Sequence, residues 1–467
     1  MEKFRIAKFG GSNLSSASDV RRIYQVLQSY DAPVIVVVSA FKGTTDQLDG
    51  VLKYASNLYN EGRKFIHSTR TFNAELIDDL IEHPQYRVEL KMQLEKRLNR
   101  LEKSLLAAHC LGEVPDFLRD EILSYGERFS SLIIAGYLKD KGTDFEEQLP
   151  EELPLLTDGV YGNATVDCDL TTISLGNQLD GRSVVVPGFY GVSRQGKITL
   201  LGRGGSDYSA ACLAKCLNAS SLDIWKDVNG FLSADPVVVE NVSDIKYLSY
   251  DEASELAYFG SEILHPRIAE PLRASCIPAK IFNIKKYSKW PEPQTLITDQ
   301  KHIAPEVVKG ISYSDDFALV RLSGAGVGVK PGLLADITQV LDNENINIKS
   351  VLTSQIAINL LLEETEVDKA SKLLKSANLH FVEEISMVRD ISVIAAVGEG
   401  LVHFDGLASG MFTAVAEQGI NVEMICFGAS SVAVYFVVRK NRRLDTVKSI
   451  HDHFFNKVQS INQEAKG

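Results

Sequence analysis

Lys8-Phe9-Gly10-Gly11-Ser12-Asn13 closes a short apolar run with one cation and two residues that lack side chains. Backbone N–H groups at Gly10 and Gly11 can approach phosphate oxygens, and Lys8 can neutralise charge on a phosphoryl group in transit. Ser39-Ala40-Phe41-Lys42-Gly43-Thr44-Thr45 follows a second apolar run in the same manner. The most specific loop is Leu201-Gly202-Arg203-Gly204-Gly205-Ser206-Asp207-Tyr208, with Ser206 placed to cap a helix and Asp207 in its first turn. Arg203 among glycines suits a two-pronged grip on a carboxylate or phosphate. Three glycine loops and a lysine point to phosphoryl transfer onto a small acid. The plainer alternatives are a snorkelling lysine at a strand end and an aspartate that only complements a helix dipole.

Other patterns carry less. Gly191-Val192-Ser193-Arg194-Gln195-Gly196-Lys197-Ile198 has P-loop spacing, but Ile198 stands where a hydroxyl must reach Mg²⁺, and a strand rather than a helix follows. Gly324-Ala325-Gly326-Val327-Gly328 lacks a framing Rossmann strand and acidic ribose ligand. His451 and His453 lie two apart and cannot share a helix face, so no metal pair is expected. Cys212 and Cys216 do share a face, and read as core thiols.

The loops need strands that end side by side. Residues 1–300 alternate β-branched runs with helical stretches, which predicts a doubly wound α/β sheet with strands at Phe4–Phe9, Val34–Ser39, Ser183–Pro187, Lys197–Leu201, Ser221–Ile224 and Ala279–Asn283. Open sheets of this class bind ligands at the carboxyl ends of their strands. Between Thr45 and Leu138, a mostly helical insertion repeats Leu90, Leu94, Leu98, Leu101, Leu105 and Leu106 at helical spacing, a stripe expected in the core. Proline and charge over Trp290–Pro305 mark a boundary. Beyond it, a constant offset of 74 carries Asp316 onto Asp390, Gly324 onto Gly398, Gly332 onto Gly406 and Leu333 onto Leu407. This is an internal duplication of a βαββαβ unit, predicting domains at 1–300, 306–388 and 389–467.

The chain has 467 residues, 45% of them apolar, and a mean hydropathy of −0.03, which excludes a mini-protein and a disordered or membrane class. With 49 Lys and Arg against 61 Asp and Glu, the net charge of −12 repels nucleic acid and anionic membranes. Met1–Lys8 has no signal-peptide core, and the six cysteines are scattered, so a cytoplasmic setting is expected.

Taken together, Lys8-Phe9-Gly10-Gly11, Ser124-Tyr125-Gly126-Glu127-Arg128-Phe129-Ser130-Ser131, Gly202–Tyr208, Trp225-Lys226-Asp227-Val228 and Leu264-His265-Pro266 look like the motif set of the aspartate kinases, in the amino-acid kinase superfamily. The duplicated tail resembles their tandem ACT regulatory domains. The resemblance implies ATP- and Mg²⁺-dependent phosphorylation of the β-carboxylate of L-aspartate, the first step toward lysine, threonine and methionine. It assigns Lys8 to the transferring phosphoryl group and Asp207 to organising it. Gly10, Gly11, Ser12, Gly204 and Gly205 would donate to phosphates, Arg203 would hold a carboxylate, and Glu127 the α-ammonium. Ser39, Thr45 and Ser206 would complete the aspartate pocket. In the nucleotide segment, Lys226 and Asp227 precede three departures from the family pattern: Leu232, Val237 and Glu262 stand where an aromatic ring and up to two cations are usual. Weaker or altered nucleotide binding is therefore expected.

The ACT resemblance further implies a homodimer, with a tetramer as the larger option, and feedback by lysine or threonine near Gly332, Leu333, Leu334, Ile348, Lys349, Ser354, Gln355 and Ile356. Lys349 takes a place where the lysine-sensitive class carries an acid, which leaves the effector open between the two. The chain's end at Gly467 leads to the expectation of a monofunctional kinase with no fused homoserine dehydrogenase. Two readings compete: a non-catalytic amino-acid sensor on a decayed kinase fold, and another carboxylate kinase.

Overall fold

The computed structural model describes residues 3–53, 58–176, 178–261, 263–287, 291–329 and 331–456. Glu262 and Trp290 lie outside the described residues. The chain divides into two compact units: residues 1–231, 244–254 and 262–301 form the first, and residues 232–243, 255–261 and 302–467 the second.

The first unit is built on an eight-stranded sheet. Its strands run in the order Glu146–Glu147, Val184–Pro187, Val34–Val38, Arg5–Phe9, Ser221–Lys226, Ala279–Asn283, Thr295–Thr298, Tyr247–Ser249. Neighbours are parallel except Ala279–Asn283 against Thr295–Thr298. Val34–Val38 is buried at every position, as an unbroken β-branched run requires when helices cover both faces. The chain leaves Arg5–Phe9 on one side, through Val34–Val38 and Val184–Pro187, and returns on the other through Ser221–Lys226. That reversal is the switch point where such sheets open a crevice.

The predicted strands match to within two residues at their ends, with one difference in placement. Ile198–Leu200 does not join the large sheet; it pairs with Tyr190–Ser193 in a separate three-stranded sheet. The P-loop-like spacing is therefore the turn of a β-hairpin. The helical insertion comprises Leu58–Leu80, Pro84–Leu111, Asp116–Leu123 and Tyr125–Asp140. Pro84 starts its helix at the position that needs no N–H, and Gly112 ends it at φ 72°. Leu90, Leu94, Leu98, Leu101 and Leu105 are buried. Leu106 is 44% exposed, because its place beside Leu105 turns it off the stripe.

The second unit holds two four-stranded antiparallel sheets. The 74-residue offset carries Phe317–Ser323 onto Ile391–Val397, and Gly332 (φ 95°) onto Gly406 (φ 84°), each opening a helix. Gly310–Ser314 and Glu384–Val388 are related by the same offset, but each completes the other's expected sheet: Glu384–Val388 pairs with Phe317–Ser323, while Gly310–Ser314 pairs with Ile391–Val397. The strand before the first repeat thus fills in the second sheet the place that Glu384–Val388 fills in the first. No helix among the described residues is long and apolar enough to cross a membrane.

Candidate active site

Lys8 sits one residue from the end of its strand, level with Val37 and Ile224 on the neighbouring strands. It is buried, which a lysine tolerates only with a partner. The partner is Asp207, whose Oδ1 lies 2.5 Å from Lys8 Nζ. Asp207 occupies the first turn of the helix Gly205–Cys216 and is buried too. Burial pushes its carboxyl pKa up, but the Lys8 and Lys226 cations and the hydrogen bond from Lys8 outweigh this and hold it below its ordinary value.

Two glycine loops frame the pair. A Cβ on Gly10 would lie 3.2 Å from Lys8 Nζ, filling the space in front of the ammonium. Asn13 donates from Nδ2 to the Trp225 carbonyl at 2.7 Å, pinning this loop to the adjacent strand end. On the other side, Gly204 caps the helix in the left-handed region at φ 69°, and a Cβ there would run into the His265 ring. Ser206, expected as the cap, is instead inside the helix and buried, with the Gly188 backbone so near that a Cβ on Gly188 would lie 2.8 Å from its Cβ. The cap falls to Gly204 because only a residue free to take positive φ turns the chain there.

Gly204→Ala is expected to cost about 2–5 kcal/mol, from left-handed strain plus displacement of His265. Gly112→Ala, at φ 72° with open space around it, should cost only the strain, about 1–2 kcal/mol. Thermal melting of the two variants tests the difference.

The helix Tyr125–Asp140 delivers the third group. Glu127 Oε1 accepts from the Ala40 N–H at 3.1 Å, and Ser130 Oγ donates to the Ser39 carbonyl at 2.7 Å. Gly126 permits this approach, since a Cβ would lie 2.9 Å from Ala40 Cβ and 3.0 Å from Thr45 Oγ1. Ser39, Thr45 and Glu127 are thereby gathered at one strand end. Glu127 is buried and its Oε2 has no hydrogen-bond partner. Burial pushes its pKa up to about 8, despite the Ala40 N–H and the Lys8 charge.

Gly10 stands in front of the buried ion pair and Gly204 caps the helix that carries Asp207, with Gly11 and Gly205 next to them in the chain and Ser12 and Arg203 exposed. Lys226 and Asp227 are half-buried at the end of the Ser221–Lys226 strand, and Asp227 lies 3.6 Å from Lys285 Nζ. Leu232 and Val237 belong to the second unit; Leu232 is half-buried and Val237 is 91% exposed. Glu262 lies outside the described residues. In the second unit, Gly332 caps the helix Leu333–Asp342, with Leu333 buried and Leu334 exposed. Ile348 is half-buried, and Ser354, Gln355 and Ile356 are exposed on the turn beyond Ser350–Thr353. Lys349 is partnered: Nζ lies 3.0 Å from Glu363 and 5.4 Å from the centre of the Tyr258 ring.

Three positioning groups were not legible from spacing. Asn13 holds its loop to Trp225, a residue 212 positions away that no local spacing links to it. Asp120 is buried and accepts from the Gly162 and Leu200 N–H groups, both at 2.8 Å, tying the turn after Thr157 to the strand that feeds Gly202. Arg267, one residue past the Leu264-His265-Pro266 motif, donates to the Leu201 and Ala164 carbonyls and lies 4.2 Å from the Tyr208 ring centre. Its place next to that motif was the only signal available.

Comparison with known proteins gives the family of both parts of the chain. The profile of the amino acid kinase family matches residues 3–283, and that of the ACT domain matches 320–377 and 394–454. The chain is 28% identical to the lysine-sensitive aspartokinase 3 of Escherichia coli over 465 residues, covering 97% of this chain and 100% of that one. It is also 28% identical to the bifunctional aspartokinase/homoserine dehydrogenase of Haemophilus influenzae, covering 98% of this chain but only 57% of that relative's length. The crystal structure of E. coli aspartokinase III in complex with aspartate and ADP superposes with a TM-score of 0.84 at 27% identity, covering 97% of this chain and all of that one.

Proposed function

Because the chain belongs to the amino acid kinase family, with ACT domains behind its kinase domain, we propose that it transfers the γ-phosphoryl group of ATP to the β-carboxylate of L-aspartate, giving 4-phospho-L-aspartate. The observation that carries this reading is the buried Lys8–Asp207 pair beside Glu127, whose second oxygen waits without a partner.

The substrate's charges match the site's. A carboxylate acceptor is already ionised at neutral pH, so the transfer needs neutralisation and alignment rather than a base. Lys8 offsets the charge on the moving phosphoryl group, and Asp207 fixes the direction of its ammonium. Gly10, Gly11, Ser12, Gly204 and Gly205 offer backbone and hydroxyl donors to phosphate oxygens. The space a Cβ on Gly10 would fill fits such an oxygen. Lys226 and Asp227 border the nucleotide, with Leu232, Val237 and Glu262 the family-divergent positions of that segment. Glu127 receives the α-ammonium, whose charge supports ionisation of a carboxyl otherwise held protonated. Arg203, free of ion pairs with any described residue, closes on the substrate's remaining carboxylate, and Ser39, Thr45 and Ser206 line the pocket. Mg²⁺ is expected to enter on the nucleotide's phosphates, where it would neutralise charge.

The ACT units are read as an amino-acid sensor that closes a feedback loop on the pathway to lysine, threonine and methionine. The name of the E. coli relative supports lysine as effector. Lys349 is less of an obstacle than its charge suggests, since Glu363 and Tyr258 already offset it. A cytoplasmic homodimer formed through these units completes the proposal.

The deciding assay traps acyl phosphate as hydroxamate. Aspartate with ATP and Mg²⁺ should give product, and lysine should inhibit it more than threonine does. No product from any acidic amino acid at millimolar ATP would favour the sensor reading instead.

A further inference from the structure

Cys212 and Cys216 face a third thiol that lies 44 and 48 residues earlier in the chain. Cys168 opens the helix Cys168–Leu175, and Cys216 Sγ donates to its carbonyl oxygen at 3.4 Å. Cys212 is wholly buried and Cys216 nearly so, whereas Cys168 is only half-buried. Cys168 lines an open pocket of about 250 Å³, together with Val166, Tyr208, Lys215 and Glu270. Cys168 therefore borders an open pocket, while Cys212 and Cys216 are buried on consecutive turns of the helix that carries Asp207.

We propose that Cys168 and Cys216 form a peroxide-responsive dithiol site, in which oxidation joins the helices Cys168–Leu175 and Gly205–Cys216 by a disulfide. The environment divides the labour between the sulfurs. The neighbouring Cys212 and Cys216 thiols hold the Cys168 pKa far below the usual thiol range against the effect of burial, and Lys215 adds to this. The charge on Asp167 opposes it, but Asp167 is engaged by the Leu170 N–H and by Arg194. The Cys216 pKa is pushed up by its neighbour Cys168 and then by burial. Cys212 is pushed up chiefly by burial, and it also meets the Tyr208 hydroxyl.

A low-pKa, accessible thiolate beside a protonated partner is the arrangement of an attacking and a resolving cysteine. In the first step the Cys168 thiolate attacks one oxygen of hydrogen peroxide and the O–O bond breaks. Cys168 becomes a sulfenic acid, oxidised by two electrons, and the other oxygen leaves as hydroxide. In the second, Cys216 sulfur attacks the Cys168 sulfur and the S–O bond breaks. The departing hydroxide takes the Cys216 proton, leaving water and the S–S bond.

The site rests on no reading of the kinase reaction, and its test reads thiols alone. In the full chain at pH 6, iodoacetamide should alkylate Cys168 at least tenfold faster than the exposed Cys110 and Cys276. After brief treatment with hydrogen peroxide, peptide mapping should find a Cys168–Cys216 crosslink that a dithiol reductant removes. In Cys216→Ser, dimedone should instead trap a sulfenic acid on Cys168. If that variant fails to fold, wild-type mapping decides alone. Cys168 reacting no faster than Cys110, or peroxide oxidising the exposed thiols while Cys168 and Cys216 stay unlinked, overturns the proposal.

Discussion

Lys8→Ala should lower kcat by at least about 10³-fold while aspartate still binds. Removing one aligned electrostatic donor from a water-excluded site costs about 10²–10³ in rate, and Lys8 is a full charge rather than a dipole. The interaction is stronger with the moving phosphoryl group than with bound aspartate, so the loss falls on kcat and not on aspartate affinity. Folding is also affected. Taking one partner from a buried ion pair leaves the other charge uncompensated, at about 3–5 kcal/mol, and here Lys226 near Asp207 should hold the cost toward the lower end. The double variant Lys8→Ala/Asp207→Asn removes the stranded charge and should recover much of the melting temperature with none of the turnover. Hydroxamate rates, calorimetric aspartate binding and thermal melting separate the two effects. Activity within tenfold of wild type in Lys8→Ala would remove Lys8 from its proposed role.

How much of this site could be read from the chain depends on how local its causes are. Glycine loops at strand ends announce themselves, since Gly10, Gly11 and Gly204 are fixed by backbone geometry within a few residues. Strand positions followed for the same reason, from runs such as Val34–Val38. The duplication was legible because its copies keep one offset through strand and helix starts. What distance in sequence conceals is pairing. Gly310–Ser314 looks like the opening of the first repeat, and only the tertiary register places it in the second sheet. Asp120 sits in an acidic helix with nothing to mark it, yet it holds two N–H groups from 42 and 80 residues away. Cys168 is likewise an isolated cysteine until the helix it begins meets Cys212 and Cys216. The cap on the Gly205–Cys216 helix shows the limit even of local rules: serine has the capping side chain, but the turn demanded positive φ, and glycine took the place.

Glu127→Gln should raise the KM for aspartate by about 10²-fold and flatten its pH dependence. The wild-type carboxyl, with its pKa raised to about 8 by burial, is mostly protonated at pH 7 in the free protein. Only its ionised form attracts an ammonium, so kcat/KM for aspartate should climb with pH through the range below 8 and level off above it. Glutamine keeps the shape and the hydrogen-bonding capacity but has no charge, and a buried ammonium left without its counterion costs on the order of 2–5 kcal/mol. Stability should move the other way. The unfolded chain ionises Glu127 near pH 4.5, while the native state holds the proton until about pH 8, so the native fold loses stability across that interval as pH rises. Glutamine has no proton to lose. The melting temperature of Glu127→Gln should therefore pull ahead of wild type progressively from pH 5 to pH 8.5 in the absence of substrate, so that the substitution that disables binding also steadies the fold. A parallel pH slope in both proteins, whether in kcat/KM or in melting, would show that the Glu127 carboxyl is not the titrating group.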